Sequence, residues 1–198
     1  MDITSDKIAE VIESNSAAFV AQCYEVEAAP PLGALMKVSA VNGTIFGVVC
    51  FAETHGLEPG RRIIARGENA ETEADIYKQN PHIKKLLTTD FHVSIVGHQR
   101  GNDIFHYLPQ NAVPIHGFVY FCTLEEIKAF TQCLDYLKLL IDADLPVSGD
   151  EIIAASVRYA GLAYPDYLSF FVRAGREMAT QLSGDTARLN AILKRLRI

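Results

Sequence analysis

Thr44-Ile45-Phe46-Gly47-Val48-Val49-Cys50-Phe51-Ala52 is the stretch on which the reading of this chain turns. It is apolar on both faces that alternate along a strand, and such a strand must be covered on both sides. A small barrel packed against a second layer supplies that cover. Just ahead, Asn42-Gly43 reads as a two-residue hairpin turn in which both positions take positive φ. Ala34 to Ala40 is the partner strand, with Met36 and Val38 on one face and Leu35, Lys37 and Ser39 on the other. Gly47, inside an apolar strand, marks a bend or a close backbone approach.

Outward from this hairpin the N-terminal part continues as short strands. Phe19 to Val26 is rich in β-formers and is broken by Pro30-Pro31, since neither proline donates to a ladder. Lys7 to Glu13 fits strand or helix by periodicity. Gly56 to Gly60 is a turn and Arg61 to Arg66 a strand, followed by a polar, acidic stretch and a short helix at His82 to Leu87. Phe91 to Gln99 alternates, with Phe91, Val93 and Ile95 opposite His92, Ser94, Val96 and His98. Gly101-Asn102 turns it back along Asp103 to Leu108, which sets His98 opposite Phe105. Val119 to Cys122 is a last strand. Six or seven short strands with tight turns predict a barrel or sandwich.

Beyond it the period becomes helical. Thr123-Leu-Glu-Glu126 and Ser148-Gly-Asp-Glu151 both read as capping boxes. Ile127, Phe130, Leu134, Leu137 and Ile141 form one apolar helix face. The next helix ends near Gly161. A third starts at Pro165 or Asp166 with Leu168, Phe171, Val172, Gly175 and Met178 inward; a fourth, capped by Asp185, carries Leu189, Ile192, Leu193 and Leu196. The expected fold is α+β: residues 1–115 a small antiparallel β-barrel with a helical excursion near 70–88, residues 116–198 a helical bundle packed on it.

Pro30-Pro31-Leu32-Gly33-Ala34-Leu35-Met36-Lys37-Val38, followed by Gly43-Thr-Ile-Phe-Gly47-Val48-Val49, resembles the HAS-barrel family. That family is named for the HerA-type DNA-translocating ATPases and the ATP synthase α and β subunits. Pro59-Gly60-Arg61-Arg62, with Tyr77-Lys-Gln-Asn80-Pro81-His82-Ile83 and Leu86-Leu87-Thr88-Thr89, is similar to its stand-alone members, found in cyanobacteria. The resemblance spans roughly residues 7–110 and turns the Lys7–Glu13 segment toward strand. In the ATPases the barrel contributes to ring assembly, so the resemblance implies docking on an ATPase ring or an ATP synthase. It does not extend to nucleotide hydrolysis: the chain contains no G-x-x-x-x-G-K-[ST].

The net charge of −6 argues against a free nucleic-acid binder. Residues 1–115 hold 9 Lys/Arg against 14 Asp/Glu, and residues 116–198 hold 9 against 10. Two local basic groups stand out. Arg61, Arg62 and Arg66 lie in the acidic half and read either as a dock for a carboxylate or phosphate or as charges that protect a strand edge. Arg195 and Arg197, with Arg173, Arg176, Arg188 and Lys194, make a basic C-terminal stretch that reads as a contact for an acidic partner or as cations placed near helix C-termini.

No catalytic, cofactor or metal-ligating set emerges. His82, His92, His98, His106 and His116 cluster in sequence, but no H-x-H or H-E-x-x-H is present. His92 and His98 share a face yet lie about 20 Å apart at about 3.3 Å per residue. Cys23, Cys50, Cys122 and Cys133 form no C-x-x-C and sit in apolar runs, with Cys133 on a helix, as buried free thiols. The tyrosines are not interleaved with basic residues as in a single-strand binder. With no signal-peptide core and no apolar run near the roughly 20 residues of a membrane span, a cytoplasmic location is expected. The expected function is a non-enzymatic assembly or interaction module with a protein partner, itself a possible homo-oligomer. Two alternatives are a nucleic-acid accessory of a DNA translocase, and a small-molecule binder or enzyme with a pocket between barrel and helices.

Overall fold

The computed structural model describes residues 7–58 and 63–196. The strands are β1 (Ala9–Ser14), β2 (Ala18–Cys23), β3 (Leu35–Ala40), β4 (Gly43–Gly56), β5 (Leu87–Arg100), β6 (Asp103–Phe105) and β7 (Phe118–Phe121). Their order is β2-β1-β7-β3-β4-β5-β6, and β2 also pairs with β5. That pairing closes six antiparallel strands into a barrel and leaves β6 as a flap on the end of β5. The Lys7–Glu13 segment is strand over Ala9–Ser14, and the closing strand β7 lies beyond residue 115.

The deciding stretch is covered on both sides. Ile45 and Val49 join Val11, Phe19, Met36, Val38, Phe91, Val93, Ile95 and Val119 in the barrel interior. Phe46, Val48 and Cys50 point outward, with Leu35 and Val96, into a second core made with the helices. Those helices are α2 (Leu124–Phe130), α3 (Leu137–Asp142), α4 (Gly149–Gly161), α5 (Tyr167–Gln181) and α6 (Thr186–Arg195), after α1 (Glu73–Gln79) in the excursion. The result is α+β with a closed barrel. Gly33 sets the approach of the two layers. It has φ +83°, and a Cβ there would lie 2.3 Å from the Ala155 carbonyl carbon of α4.

Two bulges reset the faces of β5 and β4. The β4–β5 register jumps from Phe46↔Gly97 to Gly47↔Ile95, so Val96 is an extra residue. Val96 lies in the outer core and Phe46, opposite Gly97, does too; His98, opposite the interior Ile45, therefore turns inward. The expectation that His92 and His98 share a face is overturned by this bulge. Gly47 does mark a close approach: a Cβ would lie 2.4 Å from Val93 Cγ1.

Other expectations are corrected. The β3–β4 register pairs Ala40 with Gly43, so Val41-Asn42 form the turn and Gly43 (φ +134°) opens the next strand. No strand forms over Ile63–Arg66; Arg61 and Arg62 fall outside the described residues. The helix expected from Ile127 to Ile141 is two. It breaks after Phe130, placing Cys133 between α2 and α3 rather than on a helix. Arg173 from α5 serves the break, donating from Nη1 to the Gln132 carbonyl (3.0 Å) and from Nη2 to the Thr131 carbonyl (2.9 Å). The Thr123–Glu126 capping box is present, but Ser148 makes no side-chain cap bond and Glu151 pairs with Arg195 instead.

Candidate interaction surface

α5 begins where the Asp166 carboxylate accepts from the Ser169 backbone N–H at 3.0 Å. Bonds from Ser169 hold that carboxyl below its ordinary range. The helix buries Phe170, Ala174 and Met178, an i, i+4, i+8 stripe. This corrects the expected inward face. Of the residues assigned to it, only Met178 is buried, while Leu168 is 62% and Val172 55% exposed. Leu168, Phe171, Val172 and Gly175 form a second apolar stripe beside the first.

α6 supplies the facing wall. Its Asp185 cap accepts from the Arg188 backbone N–H, Ile192 enters the core, and Leu189, Leu193 and Leu196 face α5. Between the helices lies an open groove of about 930 Å³, with Phe171 and Gly175 on one side and Leu189 and Leu193 on the other. Gly175 admits α6 closely: a Cβ there would sit 3.3 Å from Leu193 Cδ2. Phe171 lies across the end of α4, where a Cβ on Gly161 would come within 2.8 Å of its ring. Exposed Tyr167 also lines the groove. A surface helix needs one apolar stripe roughly 100° wide, and α5 carries two.

One cation stands on the rim: Arg176 on α5 lines the groove and is exposed, and among the described residues no acidic side chain lines it. Among the described residues Arg176 has no ion-pair partner. The other described arginines of this stretch are engaged. Arg188 pairs with Asp150 at 2.7 Å, and Arg173 caps the α2 break while lying over the Tyr164 and Phe170 rings.

Of the arginines singled out in sequence the structure describes two, Arg66 and Arg195, which lie on different elements. Arg66 is exposed in the β4–α1 loop, on the edge of a small apolar hollow with Ile63, Ile64 and Ile83. Arg195 is half-buried, paired with Glu151 and donating from Nη1 to the Ala191 carbonyl at 2.7 Å. Arg61, Arg62 and Arg197 lie outside the described residues. The groove was missed because Leu168, Val172 and Gly175 were assigned to the core. The available signal was the breadth of the apolar arc on α5.

Three of the four thiols and two histidines are buried or hydrogen-bonded. Burial pushes the Cys23 and Cys50 thiols up to about 11 and Cys122 well above its ordinary value, which disfavours the thiolate a nucleophile needs. The His55 ring contacts Asp90 Oδ2 through Nε2 (3.0 Å) and the Gly56 carbonyl through Nδ1 (3.1 Å), so both nitrogens face acceptors and neither is left to act as a base. These bonds, Asp90 first, raise the His55 pKa. His106 bonds the Phe130 carbonyl through Nε2 at 2.9 Å, and burial lowers its pKa. Among the described residues no group of three or more His, Cys, Asp or Glu is arranged to hold a metal ion, and no helix is long and apolar enough to cross a membrane.

No protein-family model matches the chain, and no curated protein matches it.

Proposed function

We propose that the protein is a non-catalytic interaction module, and that the α5–α6 groove is the surface on which it docks a protein partner. The observation that carries the reading is the open apolar groove with the unpaired Arg176 on its rim. Its occupant is an amphipathic helix that lays an apolar stripe between Phe171 and Leu193 and presents an acidic side chain to Arg176. The HAS-barrel resemblance suggests where such a helix resides: on a subunit of an ATPase ring or ATP synthase in the cytoplasm, with the barrel and a helical bundle forming a rigid adaptor.

The test is affinity capture from native lysate with the wild type, Val172→Glu and Arg176→Glu, alongside light scattering of the purified protein. Stoichiometric recovery of an ATPase subunit, abolished by V172E and weakened by R176E in a salt-dependent way, is expected. Recovery indifferent to both substitutions removes the groove as the docking surface. Self-association broken by V172E would make a second copy the occupant and overturn the reading.

A further inference from the structure

A cavity lies at the β3–β4 end of the barrel, made from different elements than the groove. The bulge at Val96 turns His98 toward the interior, opposite Ile45, and leaves the residue only 4% exposed. Its ring is held on three sides. Phe105 stacks on it at 5.2 Å between centroids, Tyr107 meets it edge-on at 5.1 Å, and Nδ1 lies 3.2 Å from the Tyr107 carbonyl oxygen. A carbonyl only accepts, so Nδ1 carries a hydrogen, and in the Nδ1–H tautomer Nε2 is a bare acceptor. No described residue bonds that nitrogen.

His98 lines a half-open cavity of about 170 Å³ bounded by the 40–45 hairpin, the end of β5 and the 109–112 loop. With the Nδ1 edge and the ring faces occupied, the Nε2 edge is the one left for the cavity. Its walls are largely aliphatic side chains and backbone, with Ile45 and Pro114 among them. They are also well fixed. Gly43 is pressed so closely on β5 that a Cβ would fall 1.9 Å from the Gln99 carbonyl oxygen, and the buried Val113 anchors the loop in the barrel interior. Barrel mouths are common places for small-molecule sites, and an apolar cavity of about 150 Å³ is large enough to hold benzene.

The geometry points to a binding site for a compact, single-ring molecule carrying one hydrogen-bond donor, a hydroxyl first, which it gives to His98 Nε2 while the ring fills the apolar cavity. Multi-ring molecules are excluded by size, and the cationic lining residue, the exposed Arg100, disfavours cations. Specificity lies in the donor, because an analogue without it displaces water from Nε2 and gives the acceptor no bond in return.

Phenol, anisole and benzene are the probes, titrated into the full ¹⁵N-labelled chain and followed by amide shifts and by the His98 ring nitrogens. Phenol should shift the Asn42, Gly43 and Asn111 amides saturably and move the Nε2 resonance. Benzene and anisole should bind about tenfold more weakly, about 1.4 kcal/mol. His98→Phe, which keeps an aromatic ring, should erase the difference between phenol and benzene. Equal binding of the three probes to the wild type, shifts confined to other residues, or no saturable shift with any probe would each overturn the assignment, whether or not the variant folds.

Discussion

Replacing Gly33 by alanine tests how the two layers are joined. Gly33 sits at φ +83°, bonded through its N–H to the Val49 carbonyl at 2.9 Å, so its backbone is fixed by the barrel. An added Cβ would meet three α4 backbone atoms: Ala155 C at 2.3 Å, Ser156 N at 2.5 Å and Ala155 O at 2.6 Å. Backbone within a helix has no rotamer by which to yield. The left-handed conformation costs an alanine about 1 kcal/mol, and the collision adds about 1–3 kcal/mol of overpacking. The sum is about 2–4 kcal/mol, or a Tm lower by about 4–16 °C for a chain of this size. Gly101→Ala is the internal control, because Gly101 has φ +57° with nothing within 4 Å of a Cβ; it isolates the conformational part. Urea melts followed by near-ultraviolet circular dichroism measure both. If Gly33→Ala costs no more than Gly101→Ala, the contact with α4 is not what that glycine serves, and the layers are held apart from it.

Four further outcomes are expected. Phe130→Ala should cost about 3–5 kcal/mol, since the ring is fully buried against Phe46, His106 and Tyr136 at 5.0, 4.6 and 5.3 Å; a loss under about 1 kcal/mol would mean the site collapses around the hole. His55, whose pKa is raised by Asp90, contributes stability that is complete below its unfolded pKa of 6.5 and is lost as pH rises through the higher folded value. The stability advantage of wild type over His55→Gln should therefore shrink above pH 6.5, and parallel pH profiles would refute the coupling. Arg173→Lys should cost about 1–2 kcal/mol, because a lysine cannot reproduce the fork that bonds two carbonyls; Arg195→Lys, a partly exposed pair with Glu151, should cost at most about 1 kcal/mol in the same melts.

What the sequence made legible followed from local rules. The two-sided apolarity of Thr44–Ala52 called for cover on both faces, and the interior set of Ile45 and Val49 against the outer set of Phe46, Val48 and Cys50 is that cover. Thr123 and Glu126 are adjacent enough to announce their own cap. The features that stayed hidden depend on partners distant in the chain. Nothing in Thr131-Gln132-Cys133-Leu134 breaks a helix, as it holds neither glycine nor proline; the break is served by Arg173, from another helix. Glu151 has the spacing of a capping box but meets Arg195 instead. The Val96 bulge leaves no local signature, and a count in twos along β5 puts His98 on the wrong face. The groove was misread for a related reason. An apolar residue at helical spacing says that it is to be covered, not by what.

The position of β7 also bears on how the chain folds during synthesis. β7 is the last strand made, yet it lies between β1 and β3, pairing Ala9 with Val119 on one side and Met36 with Phe121 on the other. Until those residues leave the ribosome, β1 and β3 each present an unpaired edge, the kind of template on which strands of neighbouring chains add. At about 5–20 residues per second, the span from β6 to β7 alone takes about a second or more to emerge. The most distant strand pairing is thus also the one that removes the sheet's two open edges, and a chain stalled before Phe118 would be an open, adhesive sheet rather than an incomplete barrel.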